Sequence, residues 1–127
     1  MSGSLLEFHG VRVYEVPAIG PELRTARDAV ELMSAASEWR AEWIAIPVAR
    51  LGEDFFELRT RIAGEIAQKF AVYGAKVAIV GDISHRIAAS LSLAAFVAEV
   101  NRGQNLWFVE SLLELQNRLT ALRPGTS

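Results

Sequence analysis

A single α/β domain built on a mixed, mostly parallel sheet is the fold this sequence predicts. Three observations carry that expectation. Short apolar runs at Trp43–Val48, Val77–Val80 and Leu106–Val109 alternate with segments of helical periodicity, the pattern of parallel strands joined by crossover helices. The inner runs are apolar at both alternating sets of positions. Ile44 and Ile46 oppose Trp43 and Ala45, and Val77 and Ile79 oppose Ala78 and Val80, as in strands buried on both faces. Finally, Leu5–Phe8 and Val11–Val16 flank His9-Gly10, a two-residue hairpin signal in which glycine takes positive φ.

The elements follow in the order β-β-α-β-α-β-α-β-α, with the hairpin supplying an antiparallel edge strand and four helices in all. Residues 1–4 read as a loose leader, 5–122 as the domain and 123–127 as a tail that includes Pro124. In the second strand Arg12 and Tyr14 alternate with Val11 and Val13, which predicts one wetter face. Thr25 and Asp28 stand in capping-box relation at the start of a helix running to about Ser37. Its stripe is Val30, Met33 and Ser37, and Arg27 and Glu31 pair at i,i+4. After the strand closed by Pro47, residues 53–70 combine adjacent Phe55 and Phe56, a turn-compatible Arg-Thr-Arg, and a helix with the face Ile62, Ala63, Ile66, Ala67 and Phe70. Gly74 sits at the C-cap position. Gly64 lies inside that helix, and a packing role that brings a neighbour close is expected of it.

Gly81–Ala89 reads as a loop. Ser90 or Ser92 caps the next helix, whose stripe is Leu93, Phe96, Val97 and Val100 and which Gly103 ends. Ser111 and Glu114 open a final helix carrying Leu112, Leu115, Leu119 and Leu122. If the strands pair in sequence order, right-handed crossovers place every helix on one face of the sheet. The other face then needs a cover. A second subunit is the simplest one, so a homodimer is expected; a reversal of strand order would instead put helices on both faces.

Composition narrows the function classes. The chain has 127 residues, 51% of them hydrophobic, which suits one domain with its own core. A net charge of −2 offers no basic footprint for nucleic acid. There is no cysteine, hence no disulfide framework and no thiolate metal site, and His9 and His85 lack metal-ligand spacing. No apolar run approaches the roughly 20 residues that span a bilayer, and the amino terminus lacks the features of a signal peptide. A cytoplasmic protein without nucleic-acid or membrane partner, metal or cofactor is expected.

Several short signatures occur together: DAVELM at 28–33, EDFFELRTRIAGEIAQKF at 53–70, KVAIVGDIS at 76–84, and NRG followed by an aromatic strand at 101–108. In these the chain resembles a bacterial family without assigned function, the domain of unknown function 4180, over roughly residues 8–120. The resemblance implies no particular activity. The element order is also similar to the STAS domain of anti-sigma-factor antagonists, which carry a phosphorylatable Ser or Thr at the start of a comparable helix. Thr60 holds that place here. Arg59 and Arg61 flank it, however, where the STAS pattern favours an acidic residue before the hydroxyl.

Polar residues following buried strands are the natural site candidates in an α/β sheet. Thr60 reads either as a helix N-cap or as a phospho-acceptor and anion site beside Arg59 and Arg61, in which case phosphorylation would compact the turn. Asp54, Asp82, Ser84 and His85 fall in loops after adjacent strands, but no G-x-S-x-G elbow accompanies them. Asp82 and Ser84 are also ordinary turn residues. Of Phe55 and Phe56, one is expected in the core and the other at an interface. The tryptophans at 39, 43 and 107 are further candidates for either place. The functional expectation is a non-enzymatic regulatory or protein-interaction module recognising its partner through Asp54–Arg61 and the neighbouring Gly81–Arg86 loop. The alternatives are a small-molecule or anion-binding sensor, or a small hydrolase or transferase using Asp54, Asp82, Ser84 or His85.

Overall fold

The computed structural model describes residues 3–121. Leu122 and the tail that includes Pro124 lie outside the described residues, as do Met1 and Ser2 of the leader. A five-stranded sheet with spatial order β1-β2-β3-β4-β5 forms the centre. Strands β1 (Ser4–Phe8) and β2 (Val11–Glu15) pair antiparallel, so Ser4 belongs to the hairpin and not to the leader. The turn has positive φ at both His9 and Gly10, the twist that matches a right-handed hairpin. Strands β3 (Trp43–Pro47), β4 (Val77–Val80) and β5 (Leu106–Val109) continue the sheet in parallel.

Among the described residues, six α-helices accompany these strands. They are α1 (Ala26–Glu38), α2 (Glu53–Phe56), α3 (Ile62–Val72), α4 (Ser84–Ala89), α5 (Leu91–Asn101) and α6 (Leu112–Ala121). Two more than expected arise because the 53–70 stretch breaks into α2, a 3-10 turn at Leu58–Thr60 and α3, and because Gly81–Ala89 is not a loop throughout. The reason in the second case is local: Asp82, two residues after the strand, accepts from Ser84 N at 2.9 Å, and α4 starts at Ser84. Three of the caps read from the sequence are present. Thr25 and Asp28 exchange both capping-box bonds, Ser90 accepts from Leu93 N, and Gly74 takes φ 69° at the end of α3.

Sequential strand order has the foreseen consequence for the crossovers. One face of the sheet, with Tyr14, Val16, Ile44, Ile46, Val77, Ile79, Leu106 and Phe108, packs against residues of α1, α2, α3 and α5. Tyr14 is thus buried and not on a wet face; its ring lies 6.2 Å from that of Trp39. In α1 the buried positions are Ala29 and Ala36, so small residues let the helix lie close to the sheet, while Val30 and Met33 are only half-buried.

The opposite face is not left for a second subunit. Val11, Val13, Trp43, Ala45, Ala78, Trp107 and Val109 form a second apolar cluster closed by Leu115 and Leu119 of α6. Helix α6 follows β5 and packs back across this face against β5 and β1. The Trp43 and Trp107 rings stack at 4.4 Å, and the Arg118 guanidinium of α6 lies 3.9 Å over Trp107 while donating to Asn101 O at 3.1 Å. With α6 in place this face is covered and does not call for a second subunit.

Gly64 also departs from expectation. A Cβ built there meets nothing within 4 Å, so no neighbour requires the glycine. Replacing it with alanine removes backbone freedom from the unfolded chain at no steric cost. Gly64→Ala is expected to raise stability by about 0.5–1 kcal/mol. A shift of the urea midpoint to higher concentration checks this; a shift to lower concentration would mean that the glycine is required.

Candidate functional site

The carboxyl end of β3 is roofed, while a hollow remains beside the ends of β4 and β5. After β3 the chain makes a 3-10 turn at Val48–Arg50, and Arg50 turns its side chain back on the β2–α1 loop, donating to Pro21 O at 2.7 Å and Pro17 O at 2.9 Å. Leu23 bridges to Leu51 beneath it. Then α2 lays both phenylalanines into the core: Phe55 is 3% exposed and Phe56 is 7% exposed, with their rings edge-to-face at 5.2 Å. Neither is left for an interface. In so short a helix, buried between the sheet and α3, adjacent residues both find core neighbours.

Ion pairs from separate loops tie this roof down. Arg86 of α4 grips Glu53 with two hydrogen bonds, at 2.8 and 3.0 Å, and its guanidinium lies 4.4 Å over the Phe56 ring. Arg24, from the β2–α1 loop, reaches Asp54 at 3.4 Å and Glu22 at 3.7 Å. The hydrogen bonds from Arg86 hold the Glu53 carboxyl below its ordinary value and push the Arg86 guanidinium up.

Thr60 closes the Leu58–Thr60 turn. Its hydroxyl lies 2.7 Å from Asp54 O and 2.8 Å from Glu57 O, where it donates, and it accepts from Ile62 N at 3.3 Å. The N-cap of α3 is Arg61, not Thr60, and Arg61 sits in the left-handed region with φ 66°. A phosphate on Thr60 would set negative charge against two carbonyl oxygens in place of a donor. It would open this turn, the reverse of the compaction expected from sequence. Arg59 pairs with Glu57 at 3.7 Å; among the described residues Arg61 has no ion-pair partner.

Asp82, Ser84 and His85 do not join this group through any hydrogen bond among the described residues. Asp82 accepts from both Ser84 N and Ser84 Oγ, at 2.9 and 2.7 Å, and the backbone bond is the main reason its carboxyl is held below the ordinary range. A carboxylate so stabilised is a weak base, and Ser84 spends its proton on a turn. The arrangement starts a helix. A small hollow of about 180 Å³ beside it is bounded by Asn101, Glu110 and Glu114.

Two features were not read from the sequence. A cleft of about 420 Å³ lies at the other end of the sheet, between the ends of α1 and α3, floored by Ala36, Ala41 and Ile44 and rimmed by Glu42, Tyr73 and Lys76. The Asn101 carboxamide lies along the outer edge of β5, accepting from Phe108 N at 2.7 Å and donating to Phe108 O at 3.3 Å, as a neighbouring strand would. The NRG signature was the available signal: Asn101 closes the edge, and Gly103 O accepts from the Trp107 indole at 2.8 Å. Among the described residues, no three His, Asp or Glu side chains gather as a metal site, and no helix is long and apolar enough to cross a membrane.

The model of one protein family, described as Domain of unknown function (DUF4180), matches residues 8–119, and the chain belongs to that family. The matched segment runs from the last residue of β1 into α6. No curated protein and no solved structure matches the chain.

Three carboxylates, Asp28, Glu53 and Asp82, are held below their ordinary values, Asp28 chiefly by the Arg24 backbone amide. Because their folded pKa values are depressed, the stability they contribute is present above the unfolded value near 4 and is lost as pH falls through the folded ones. The melting temperature is therefore expected to fall on acidification below about pH 4. That fall should be shallower in an Asp28→Asn, Glu53→Gln, Asp82→Asn variant. An acid limb of equal slope in both proteins would show that other groups carry it.

Proposed function

We propose that this member of the family is a non-enzymatic regulatory module that works by binding a protein partner. Its recognition surface is the rim formed by α2, the Leu58–Thr60 turn and the start of α3. One observation carries the reading: four polar side chains that could do chemistry at the strand ends, Glu53, Asp54, Thr60 and Asp82, are committed to local structure or to ion pairs. Asp54 is paired with Arg24, Glu53 with Arg86, Thr60 with two carbonyls and Asp82 with Ser84. What the rim offers outward is a fixed array of charge, with exposed Arg59 and Arg61 ahead of the bare backbone at Gly64. Exposed Arg61, which has no ion-pair partner among the described residues, and Arg59, paired with Glu57, suit an acidic protein surface, and rim charges of this kind chiefly set association rate and specificity.

The test places a photo-crosslinking residue at Gly64 in the producing cell. An adduct of one defined mass is expected, and Arg59→Glu with Arg61→Glu is expected to abolish it. An adduct pattern no different from that of the same probe at Asn117 on α6 would reject this surface.

A second reading, a small-molecule sensor, is favoured by the cleft between α1 and α3, which joins an apolar floor to one acid, one base and a tyrosine. A metabolite that raises the melting temperature of the natural chain, but not that of a Met33→Trp variant, would support it.

A further inference from the structure

The two edges of the sheet are treated differently, and the difference points to self-association. On β5 the outward peptide groups of Phe108 are both taken by Asn101. On β1 the outward groups follow from the pairing of β2. Glu42 N donates to Arg12 O and Val16 N donates to Ala45 O, so Arg12, Tyr14 and Val16 turn towards β3. Val11, Val13 and Glu15 then turn towards β1, where they meet Phe8, Leu6 and Ser4. Leu5 and Glu7 are left with their N–H and C=O groups directed away from the sheet, and among the described residues nothing bonds them. Strand edges are usually protected by lysine, proline, a bulge or a covering element. β1 has no lysine and no proline, and its register with β2 runs without a bulge.

We propose that a second copy of this chain pairs with β1, antiparallel and about a two-fold axis at Leu6, to make one continuous ten-stranded sheet. The strand is self-complementary in that register. Leu6 stands opposite Leu6 of the second copy, Leu5 opposite its Glu7, and Ser4 opposite its Phe8. Leu5 and Glu7 both face outward, so they form hydrogen-bonded pairs, giving four main-chain bonds across the axis. A shift by one residue would set outward groups against inward ones. An axis at Glu7 would bring like charges face to face, and an axis at Leu5 would leave Glu7 outside the ladder. The register at Leu6 alone uses all five residues and keeps the carboxylates apart.

The apolar surface favours the same occupant. Leu6 and Phe8 are half-buried members of the cluster beneath α6, and Leu5 is half-buried on the other face next to Tyr14. Across the axis, Val13 and Leu6 of one copy continue into Leu6 and Val13 of the other, extending an apolar row that already runs through the molecule. The dimer thus arises at the edge of the sheet, not over a face.

The chain contains no cysteine, so a single introduced one reports the register. Residues directly opposite in a non-hydrogen-bonded antiparallel pair have Cα atoms about 4.5 Å apart, within disulfide reach. The full chain is expected to show twice its 13.9 kDa mass by light scattering. Leu6→Cys should oxidise to a covalent dimer far more completely than Leu113→Cys on the outer side of α6. Leu5→Pro, which removes an outward N–H that an edge strand does not need internally, should give a folded monomer. A natural chain that is monomeric at both low and high concentration overturns the proposal. So does a dimer in which Leu6→Cys cross-links no better than Leu113→Cys, or a folded Leu5→Pro protein that stays dimeric. Should Leu5→Pro fail to fold, the cysteine pair decides.

Discussion

Burial of the inner strands on both faces is the constraint from which the rest of this molecule follows. Ile44 and Ile46 are closed by the crossover helices, and Trp43 and Ala45 need an equal cover on the other side. Sequential strand order spends every right-handed crossover on one face. Among the described residues, the element that reaches the second face is α6, which follows β5. Its seat is specific: Leu115 and Leu119 enter the cluster while Arg118 stacks on Trp107 and ties itself to the Asn101 carbonyl. Asn101 also closes the edge of β5, so the end of α5, the last strand and the last helix form one connected unit.

The same economy shapes the strand ends. In an open α/β sheet the carboxyl ends are where a crevice is expected. Here Phe55 and Phe56, just after β3, are buried in the core, and the charges beside them pair across loops: Glu53 with Arg86, Asp54 with Arg24. Such exposed pairs contribute little stability individually. Their effect is to fix the position of the roof, and with it the outward direction of Arg59 and Arg61.

Much of the architecture is legible in the sequence because it depends on local signals. The capping box at Thr25 and Asp28, the caps at Ser90 and Gly74 and the two-residue hairpin all act within a few residues, and the double-sided apolar strands announce their own burial. What escaped depends on distance or on backbone geometry. The destination of α6 follows from what remains uncovered, not from its own pattern. Helix α4 is too short for periodicity to show and begins on a side-chain bond from Asp82. The left-handed backbone at Arg61 took the cap position from Thr60, and arginine carries no sequence signal for it. In the candidate site the residues were legible but their partners were not, since Arg24 and Asp54 stand 30 positions apart and Glu53 and Arg86 stand 33 apart.

Native-state hydrogen exchange on the full chain tests the central claim, that α6 is an integral wall of the core, most directly. If α6 closes the second face, the amides of its second half, around Leu115 to Leu119, should exchange only with the global opening that also releases β3 and β4. Exchange of those amides by a separate, much easier opening, with the strands still protected, would contradict it and return the second face to the search for another cover.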